Sequence, residues 1–275
     1  MVCNWESLLA ILPAWMQGDV NRFGRDELQE IRLRLNAPGE LIFREKRQYL
    51  REQLSREDLD FCINAASRYS PWAAATAAKG YLTAPGGHRI GICGEMVLKN
   101  GETAGIRNIS SLCIRVARDF PGIAEDLANI SGSILILGAP GWGKTTLLRD
   151  LIRWRSSAET VAVVDERGEL FPEGFSKGPQ TDVLTGCPKA SGILQVLKTM
   201  GPQSIGVDEI TEPEDVKALL HAFGCGVSLL TTAHAGSLGE FKARKVNMPL
   251  LREKVFRAII ILHRDQTYQV ERMEL

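Results

Sequence analysis

Residues 138–145, Gly138-Ala139-Pro140-Gly141-Trp142-Gly143-Lys144-Thr145, are the most informative part of this chain for its fold. It has the pattern Gly-x-x-x-x-Gly-Lys-Thr of a phosphate-binding loop. Glycines in such a loop allow backbone N–H groups to turn inward and approach phosphate oxygens without a Cβ clash. The pattern therefore predicts that the Lys144 ammonium contacts β- and γ-phosphates, and that the Thr145 hydroxyl ligates a bridging Mg²⁺ ion.

The residues on both sides of the loop support this interpretation. Residues 133–137 form a short apolar run that predicts a buried strand. Residues 146–154 place leucine and isoleucine at helical spacing, which predicts an amphipathic helix. A glycine-rich turn that matched the pattern by chance would not be expected to have both a strand before it and a helix after it. The predicted nucleotide-binding residues are Gly138, Ala139, Pro140, Gly141, Trp142, Gly143, Lys144, Thr145 and Thr146.

Composition is that of an ordinary globular protein. The chain has 275 residues, of which 44% are hydrophobic and 24% charged. Basic and acidic residues both number 33. The chain therefore has no global field that would attract nucleic acid, which makes nucleic acid an unexpected partner. The six cysteines lie far apart without a Cys-x-x-Cys pair, so we expect reduced thiols and neither a zinc site nor a redox motif.

The sequence also predicts a cytoplasmic location. The N-terminus has no basic leader, and Glu6 interrupts its apolar stretch, so a signal peptide is not expected. About 18 consecutive apolar residues would be needed to cross a membrane, and no such run occurs in the sequence. Peripheral docking on a membrane complex remains open.

The first half of the chain, residues 1–120, is predicted to be an α+β domain with an antiparallel sheet. Helices are expected over 5–16, ending near Gly18, over 55–70 with Ser55 as N-cap, and over 72–79. Alternating apolar residues and turn residues predict strands over 30–35, 41–43, 48–50, 81–83, 89–94, 95–98 and 111–116, with turns at 36–39 and 99–102.

The second half alternates strands and helices. Apolar strands are predicted over 133–137, 161–164, 204–207, 228–231 and 258–262, with helices such as 191–200 and 213–223 between them. Apolar strands separated by helices predict a parallel sheet that is buried on both faces. We expect residues 121–132 to be a linker and residues 133–275 to form this second domain.

Two carboxylates end the strand over 204–207. In a phosphate-loop enzyme, such an aspartate lies beside the loop and holds Mg²⁺. We therefore expect Asp208 to join Thr145 in holding the metal, and Glu209 to polarise the attacking water as catalytic base. A solvated acidic strand end is the alternative, and the phosphate loop in the same domain makes it the weaker one.

Other strand ends carry polar residues that could face the same crevice. Glu166 follows the strand over 161–164 and could orient water or magnesium, while Arg167 could contact a phosphate or a neighbouring subunit. A solvated salt bridge explains these two residues equally well. His234 lies at the end of the strand that begins at residue 228, and it could sense the γ-phosphate. The alternative is that His234 is a capping or core histidine.

Arginines are the third group of candidates. Charge on a transferred phosphoryl group is often neutralised by an arginine from another domain or subunit. We expect one or two of the numerous arginines to reach the nucleotide, although most such residues are solvated or structural. The candidates are Arg89, Arg107, Arg115, Arg118 and Arg167.

The chain resembles the stage III sporulation protein AA family, relatives of the type II and type IV secretion ATPases. The resemblance covers nearly the whole chain in the family's order, and its most specific stretches are 109–118 and 181–190. It also includes 30–34, 86–91, the phosphate loop, 164–167, Asp208-Glu209 and 232–234.

The resemblance implies an N-terminal module followed by a RecA-like ATPase core. It further implies hexameric rings with nucleotide between the two domains of a subunit, arginines contributed across an interface, and docking on a channel between mother cell and forespore. His234 matches the family's histidine box and Glu166 its acidic box. Pilus-type relatives often carry a tetracysteine zinc motif that is absent here, so no metal other than magnesium is expected. Trp142 replaces a usually small residue and is expected to face outward.

These observations predict a Mg²⁺-dependent ATPase that acts as an oligomeric motor or assembly factor, with Lys144, Glu166, Glu209 and His234 in catalysis. A nucleotide-gated scaffold with little hydrolysis is the second hypothesis, and a nucleic-acid-stimulated ATPase is the third. A small GTPase is disfavoured because no Asn-Lys-x-Asp motif occurs. A small-molecule kinase remains open, although Asp208-Glu209 favours water as acceptor. The residues do not select ATP over other nucleoside triphosphates.

Overall fold

A computed structural model describes residues 3–25, 27–68, 77, 80–99 and 101–273. The chain divides into two compact units. The first unit comprises Met1–Asp119 together with Pro172–Phe175, and the second comprises Phe120–Phe171 together with Ser176–Leu275. Residues 121–132, which we expected to form a linker, group with the second unit, where Ala124 and Leu127 are buried.

The first unit contains a six-stranded sheet in which all neighbouring strands are antiparallel. Its spatial order is β3-β2-β1-β6-β5-β4. Successive side chains of a strand point to opposite faces, so the alternating sequence leaves one face buried and the other polar. The strands are β1 (Glu30–Arg34), β2 (Pro38–Ile42), β3 (Arg47–Gln53), β4 (Tyr81–Thr83), β5 (Arg89–Lys99) and β6 (Glu102–Arg115).

Three helices pack against the buried face among the described residues, namely α1 (Trp5–Ala10), α2 (Ala14–Gly24) and α3 (Arg56–Ser67). The capping interaction predicted at Ser55 is confirmed, since its hydroxyl accepts from the Asp58 N–H while the Asp58 carboxylate accepts from the Ser55 N–H. This reciprocal pair satisfies two amides at the start of α3.

Some boundaries in the first half were predicted wrongly. The single helix expected over 5–16 is two helices, because Pro13 has no N–H and begins a new one. Gly18 lies inside α2 rather than at its end. The strands expected at 89–94 and 95–98 form one strand, β5, with an irregular register between Cys93 and Glu95. The helix expected over 72–79 falls outside the described residues, apart from position 77.

The second unit contains a seven-stranded sheet in the order β13-β12-β7-β11-β10-β8-β9. All neighbouring pairs are parallel except β12 with β13. The five strands predicted from apolar runs are confirmed, two of them at both ends and the other three within three residues. The strands are β7 (Ile134–Gly138), β8 (Val161–Asp165), β9 (Thr181–Thr185), β10 (Ser204–Val207), β11 (Ser228–His234), β12 (Ala258–Leu262) and β13 (Tyr268–Arg272).

Two strands of this sheet were not predicted. Strands β9 and β13 form its two edges, and their residues are exposed or half-buried. An edge strand has only one paired neighbour and tolerates polar side chains, so its sequence lacks an apolar run. Because β13 is antiparallel, the sheet is mixed rather than wholly parallel as expected.

Helices cover both faces of the second sheet. Leu148 and Ile152 pack on one face with Ile136, and Ile193 and Leu219 pack on the other. Gly206 allows one close approach, since a Cβ there would lie 2.6 Å from Ile152 Cδ1. The helices are α4 (Lys144–Arg155), α5 (Lys189–Thr199), α6 (Pro213–Gly224), α7 (Leu238–Ala243) and α8 (Met248–Arg252). Within the described ranges, none of the helices has the length and apolar composition to cross a bilayer.

Candidate functional site

The carboxyl edge of the second sheet gathers the polar residues predicted from sequence. Strands β7, β11, β10 and β8 are successive neighbours, and the carboxyl ends of parallel strands meet at one edge. Gly138 at the end of β7 pairs directly with His234 at the end of β11. Asp208 follows β10, the next strand in the sheet, and Glu209 follows it. The fold therefore places the phosphate loop beside the predicted catalytic residues.

The loop between β7 and α4 has the backbone that its glycines predict. Gly141 and Gly143 have φ values of 79° and 94°, in the left-handed region that favours glycine. A Cβ at either position would meet nothing within 4 Å, so conformation rather than crowding demands glycine. Gly143 is the N-cap of α4, and the first amides of a helix have no partner within the helix. The loop is thus suited to an anion such as phosphate.

Lys144 lies across this loop. Its ammonium donates to the Ala139 carbonyl at 3.1 Å and contacts His234 Nδ1 at 2.8 Å. Burial lowers the Lys144 pKa, while the charges of Asp208 and Glu209 oppose that shift. Both hydrogen-bond partners are neutral groups that an anionic oxygen can replace.

His234 connects the lysine to the predicted base. Its Nε2 lies 2.9 Å from Glu209 Oε1. Because Nδ1 accepts from the Lys144 ammonium, we assign the ring proton to Nε2, which donates to Glu209. Lys144, His234 and Glu209 therefore form one hydrogen-bonded chain.

A second chain joins the loop to the carboxylates. The Thr145 hydroxyl donates to Asp208 Oδ2 at 2.8 Å, and the Thr232 hydroxyl donates to Asp208 Oδ1 at 2.7 Å. The Glu209 N–H in turn donates to the Thr232 hydroxyl at 2.9 Å. A hydroxyl and a carboxylate are hard oxygen ligands that suit Mg²⁺, so the donor set of Thr145 and Asp208 fits that ion.

The backbone of Glu209 is unusual for its residue type. Its φ is +46°, a left-handed conformation that non-glycine residues adopt at a cost. The backbone is held there by Thr232, whose hydroxyl accepts from Glu209 N–H and whose carbonyl accepts from Ile210 N–H at 2.9 Å. This left-handed backbone makes the chain turn sharply after β10, and the turn keeps Glu209 next to His234.

Glu166 and Arg167 reach the same edge. Both line a small pocket of about 30 Å³ together with Asp208 and Glu209. Glu166 is paired with Lys189, with 3.2 Å between Oε2 and Nζ. Glu166 is exposed, so this ion pair by itself adds little stability.

Asp165, at the end of β8, organises the loop that follows. Its carboxylate accepts from the backbone N–H groups of Glu169, Leu170 and Phe171 at 2.9, 2.9 and 3.2 Å. Burial raises the Asp165 pKa, although these three hydrogen bonds oppose the shift. Arg149 on α4 donates to the Glu169 and Leu170 carbonyls. These contacts hold the loop after β8 against α4, the helix that begins at the glycine loop.

The four other candidate arginines belong to the first unit and have contacts within it. Arg107 pairs with Glu95 at 3.1 Å and Arg115 with Glu30 at 3.4 Å. Arg118 donates to the carbonyls of residues 25 and 28. Arg89 and Arg115 line a pocket of about 200 Å³ on the polar face of the sheet. Their approach to a nucleotide stays a prediction.

Sequence reasoning missed Thr232 and Lys189 as site residues, and it misplaced Trp142. Thr232 stands two positions before His234 on one strand, and residues two apart share a face, so the sequence held a clue to it. Trp142 does not face outward but is half-buried against a core that includes Leu262. The reason is tertiary, because the β12–β13 hairpin lies at the same edge as the loop.

Comparison with known proteins agrees with this fold. The chain resembles the ATPase DotB of Legionella pneumophila, with 18% identity, a TM-score of 0.58, and coverage of 88% of this chain and 75% of DotB. It also resembles the pilus retraction motor PilT, solved with bound ADP, at 14% identity and a TM-score of 0.66 over all of this chain and 84% of PilT. The chain thus has the mixed α/β fold that these two proteins share.

The family follows from the sequence. Residues 12–271 match the family described as Sporulation stage III, protein AA. Stage III sporulation protein AA of Bacillus subtilis (strain 168) is 38% identical over 280 aligned positions, which cover 94% of this chain and 91% of the relative. The chain belongs to the stage III sporulation protein AA family, as its sequence motifs predicted.

Proposed function

We propose that this protein is a Mg²⁺-dependent ATPase of the secretion type with a RecA-like core, which energises or assembles a membrane channel complex during sporulation. The family membership and the fold support a related ATPase role. The observation that carries the proposal is the meeting of two hydrogen-bonded chains at Glu209, one from Lys144 through His234 and one from Thr145 through Asp208 and Thr232.

Each residue has a role that its position supports. The loop amides and Lys144 bind the β- and γ-phosphates, and Thr145 with Asp208 would hold Mg²⁺. When bound, the ion neutralises charge on the phosphate oxygens. Glu209 accepts the proton of the attacking water, as a carboxylate base within hydrogen-bond reach can do. When a phosphate oxygen replaces His234 as partner of Lys144, the histidine is freed to report that the nucleotide is bound.

Oligomerisation and docking complete the proposal. The protein would act as a ring of identical subunits, hexameric by analogy, at the cytoplasmic side of a channel between mother cell and forespore. In such a ring, Arg89, Arg107, Arg115, Arg118 or Arg167 would supply positive charge to a nucleotide. Glu166, held by Lys189, would help to orient water.

Two variants test the site. Lys144→Ala should abolish binding of Mg·ATP, measured by titration calorimetry, because the phosphates lose their cation. Glu209→Gln should bind Mg·ATP but lower the rate of phosphate release by at least about 100-fold, because an amide cannot accept the proton. Glu253→Gln removes an exposed carboxylate after α8 and serves as the matched control. Wild-type turnover by Glu209→Gln would refute the assignment of the base.

A nucleotide-gated scaffold is the second candidate. The contact between His234 and Glu209 favours the scaffold, because the Glu209 carboxylate, while it is hydrogen-bonded to His234, is not available to activate water. Size-exclusion chromatography with and without ATP, together with a phosphate-release assay, separates the two functions. ATP-dependent assembly without sustained phosphate release would support the scaffold.

A further inference from the structure

A pocket opens at the amino edge of the second sheet, the edge opposite to the phosphate loop. Its volume is about 370 Å³. Pockets that bind small ligands usually measure about 300–1,000 Å³, so this pocket has room for one. We call it the arginine pocket, and its lining consists of Asn129, Ile130, Ser131, Arg257, Ala258, Arg272 and Met273. All of these residues belong to the second unit.

The strand directions place the arginine pocket at this edge. Strands β7 and β12 are parallel and start side by side, with Ala258 paired to Ile134. Strand β13 is antiparallel to β12, so its last residue, Arg272, also pairs with Ala258. Because β7 has five residues, the length of sheet between the pocket and the phosphate loop is roughly 16 Å. The pocket is therefore a separate site, which a phosphate held by the loop does not occupy.

One wall of the arginine pocket is the segment before β7, and Arg155 on α4 holds it in place. The Arg155 guanidinium donates to the Ile130 carbonyl at 2.7 Å and to the Gly132 carbonyl at 3.0 Å. Arg155 also pairs with Glu159 at 3.2 Å, so its own charge is compensated. This arginine thus fixes the wall and does not attract a ligand.

The other wall carries the two arginines of the lining, and its backbone is fixed as well. The Arg257 N–H donates to the Ser133 carbonyl at 2.8 Å, and the Met273 N–H donates to the Arg257 carbonyl at 2.9 Å. Gly132, with φ 77°, lies close to the Arg257 side chain, since a Cβ there would be 3.3 Å from Arg257 Cδ. The backbone is thus ordered before a ligand arrives, which lowers the entropic cost of binding.

The guanidinium groups of Arg257 and Arg272 carry the uncompensated charge of the pocket. Both side chains are exposed, and within the part of the chain that the structure describes neither makes an ion pair or a side-chain hydrogen bond. The described lining contains no acidic residue. Since a guanidinium is charged at every physiological pH, the pocket presents two permanent positive charges. Its ligand should therefore be an anion.

The donors of the pocket favour a phosphate group over a carboxylate. One guanidinium fork is sufficient for the two oxygens and single charge of a carboxylate. A phosphomonoester has three terminal oxygens and nearly two negative charges, so it can use both forks. The Asn129 amide and the Ser131 hydroxyl add two neutral donors. Ile130 and Met273 provide apolar surface for the group that carries the phosphate.

We propose that the arginine pocket binds a phosphomonoester, with Arg257 and Arg272 as its bidentate partners. The proposal goes beyond nucleotide hydrolysis and does not depend on it, because the pocket lies at the other edge of the sheet. A small phosphorylated compound and the headgroup of phosphatidic acid share this chemistry, and the experiment distinguishes the two sources.

Titration calorimetry with glycerol 3-phosphate tests the two arginines. All proteins carry Lys144→Ala, which removes the cation of the phosphate loop and limits binding there. Arg257→Gln and Arg272→Gln should each weaken binding about tenfold, because each removes charged hydrogen bonds. Arg272→Lys keeps the charge but not the fork, so it should weaken binding severalfold. Arg264→Gln, in the turn at the far end of the same hairpin, is the matched control and should have no effect.

Vesicle sedimentation identifies the source of the phosphate group. The probes are phosphatidylcholine vesicles with and without phosphatidic acid. Binding that requires phosphatidic acid and is lost in the double variant Arg257→Gln/Arg272→Gln, without binding of glycerol 3-phosphate, supports a lipid headgroup as ligand. Binding of glycerol 3-phosphate alone supports a soluble compound, and binding of both supports recognition of the phosphate group itself.

Four results would overturn the proposal. The double variant could bind like its parent, or the parent could bind neither probe, which would mean that the arginines are only solvated. Equal weakening by Arg264→Gln would show that net charge and not the pocket attracts the anion. Unchanged binding by Arg272→Lys would refute bidentate contact, and equal affinity for succinate would refute selection of phosphate.

Folding and the proposed function are checked separately. Circular dichroism should show native folding of all variants, because the substituted side chains are exposed. With Lys144 intact, Arg257→Gln/Arg272→Gln should hydrolyse ATP as the wild type does. Failure of the phosphomonoester proposal would therefore leave the proposed ATPase function unaffected.

Discussion

The two sheets of this chain bury their strands differently, and the difference determines where polar residues can stand. In the second unit, β7, β8, β10 and β12 are buried along their whole length, so polar side chains follow the strands at the carboxyl edge. In the first unit, β1 alternates, with Ile31 and Leu33 buried and Glu30, Arg32 and Arg34 partly or fully exposed. One sheet thus concentrates polar groups at an edge and the other spreads them over a face.

Charged residues have different roles in the two sheets. On the polar face of the first sheet, Glu40 is 3% exposed and accepts from Arg34 at 3.0 Å and Arg47 at 2.9 Å. The hydrogen bond from Arg34 is the main reason that the Glu40 pKa lies below its usual range, although burial opposes the shift. Those charges stabilise a sheet. At the edge of the second sheet, by contrast, carboxylates, a lysine and hydroxyls meet at a glycine loop.

The largest expected difference between the two sheets is in how substitutions change the free energy of unfolding. In β7, Leu135→Ala and Ile136→Ala should each lower the free energy of unfolding by about 2–5 kcal/mol, because both faces of the strand are buried. In β6, Ile114→Ala should cost a similar amount, whereas its neighbour Arg115→Ala should change stability by less than about 1 kcal/mol. Chemical denaturation of the four variants measures this. A tolerated Leu135→Ala or Ile136→Ala would contradict the double burial of β7.

A smaller effect distinguishes two adjacent threonines of β11, both fully buried. Thr232→Val removes the hydroxyl that holds Asp208 and the Glu209 N–H, so it should cost about 1–3 kcal/mol. It should also lower the rate of ATP hydrolysis, because Glu209 loses its backbone anchor. Calorimetric unfolding and a phosphate-release assay provide the two measurements.

Thr231→Val is the matched control. The Thr231 hydroxyl is buried without a hydrogen-bond partner among the described residues. Its removal should leave hydrolysis unchanged and stability unchanged or slightly higher. Equal loss of hydrolysis in both variants would show that packing of β11, and not the Thr232 hydroxyl, positions the carboxylates.

The smallest effect concerns His88, a fully buried histidine of the first unit. Its Nε2 donates to the Asn4 carbonyl and its Nδ1 accepts from the Ala117 N–H, both at 3.1 Å, which requires the neutral ring. Burial lowers the His88 pKa, and the nearby charge of Arg118 lowers it further, while the contact with Asn4 opposes the shift. The unfolded chain therefore binds a proton at a higher pH than the folded chain does.

Acidification should consequently destabilise the first unit. The contribution of neutral His88 to the free energy of unfolding is fully present above its ordinary pKa of 6.5. Below that pH the contribution declines, by at most about 1.4 kcal/mol per pH unit. His88→Gln keeps one hydrogen bond and does not titrate, so it should be less stable at neutral pH but less sensitive to acid. Thermal unfolding from about pH 8 to about pH 5 compares the two, and parallel curves would exclude His88 as the cause.

Much of the site was predictable because its parts are local. A glycine loop between an apolar strand and a helix is a continuous segment, and Asp208-Glu209 directly follows an apolar strand. Edge strands β9 and β13 were not predictable, because their polar alternation resembles that of loops. The β12–β13 hairpin beside Trp142 was missed for the same reason.

The family, the glycine-loop motif and the strands whose ends carry the acidic and histidine residues could be predicted from the chain alone, because each depends on neighbours along it. The partners of those residues became apparent only from the three-dimensional fold. Lys144 meets His234, and Thr232 joins Asp208 to Glu209, because strand order rather than sequence separation sets which strand ends are adjacent. The structure likewise turned Trp142 inward, since the hairpin that covers it comes more than a hundred residues later in the chain.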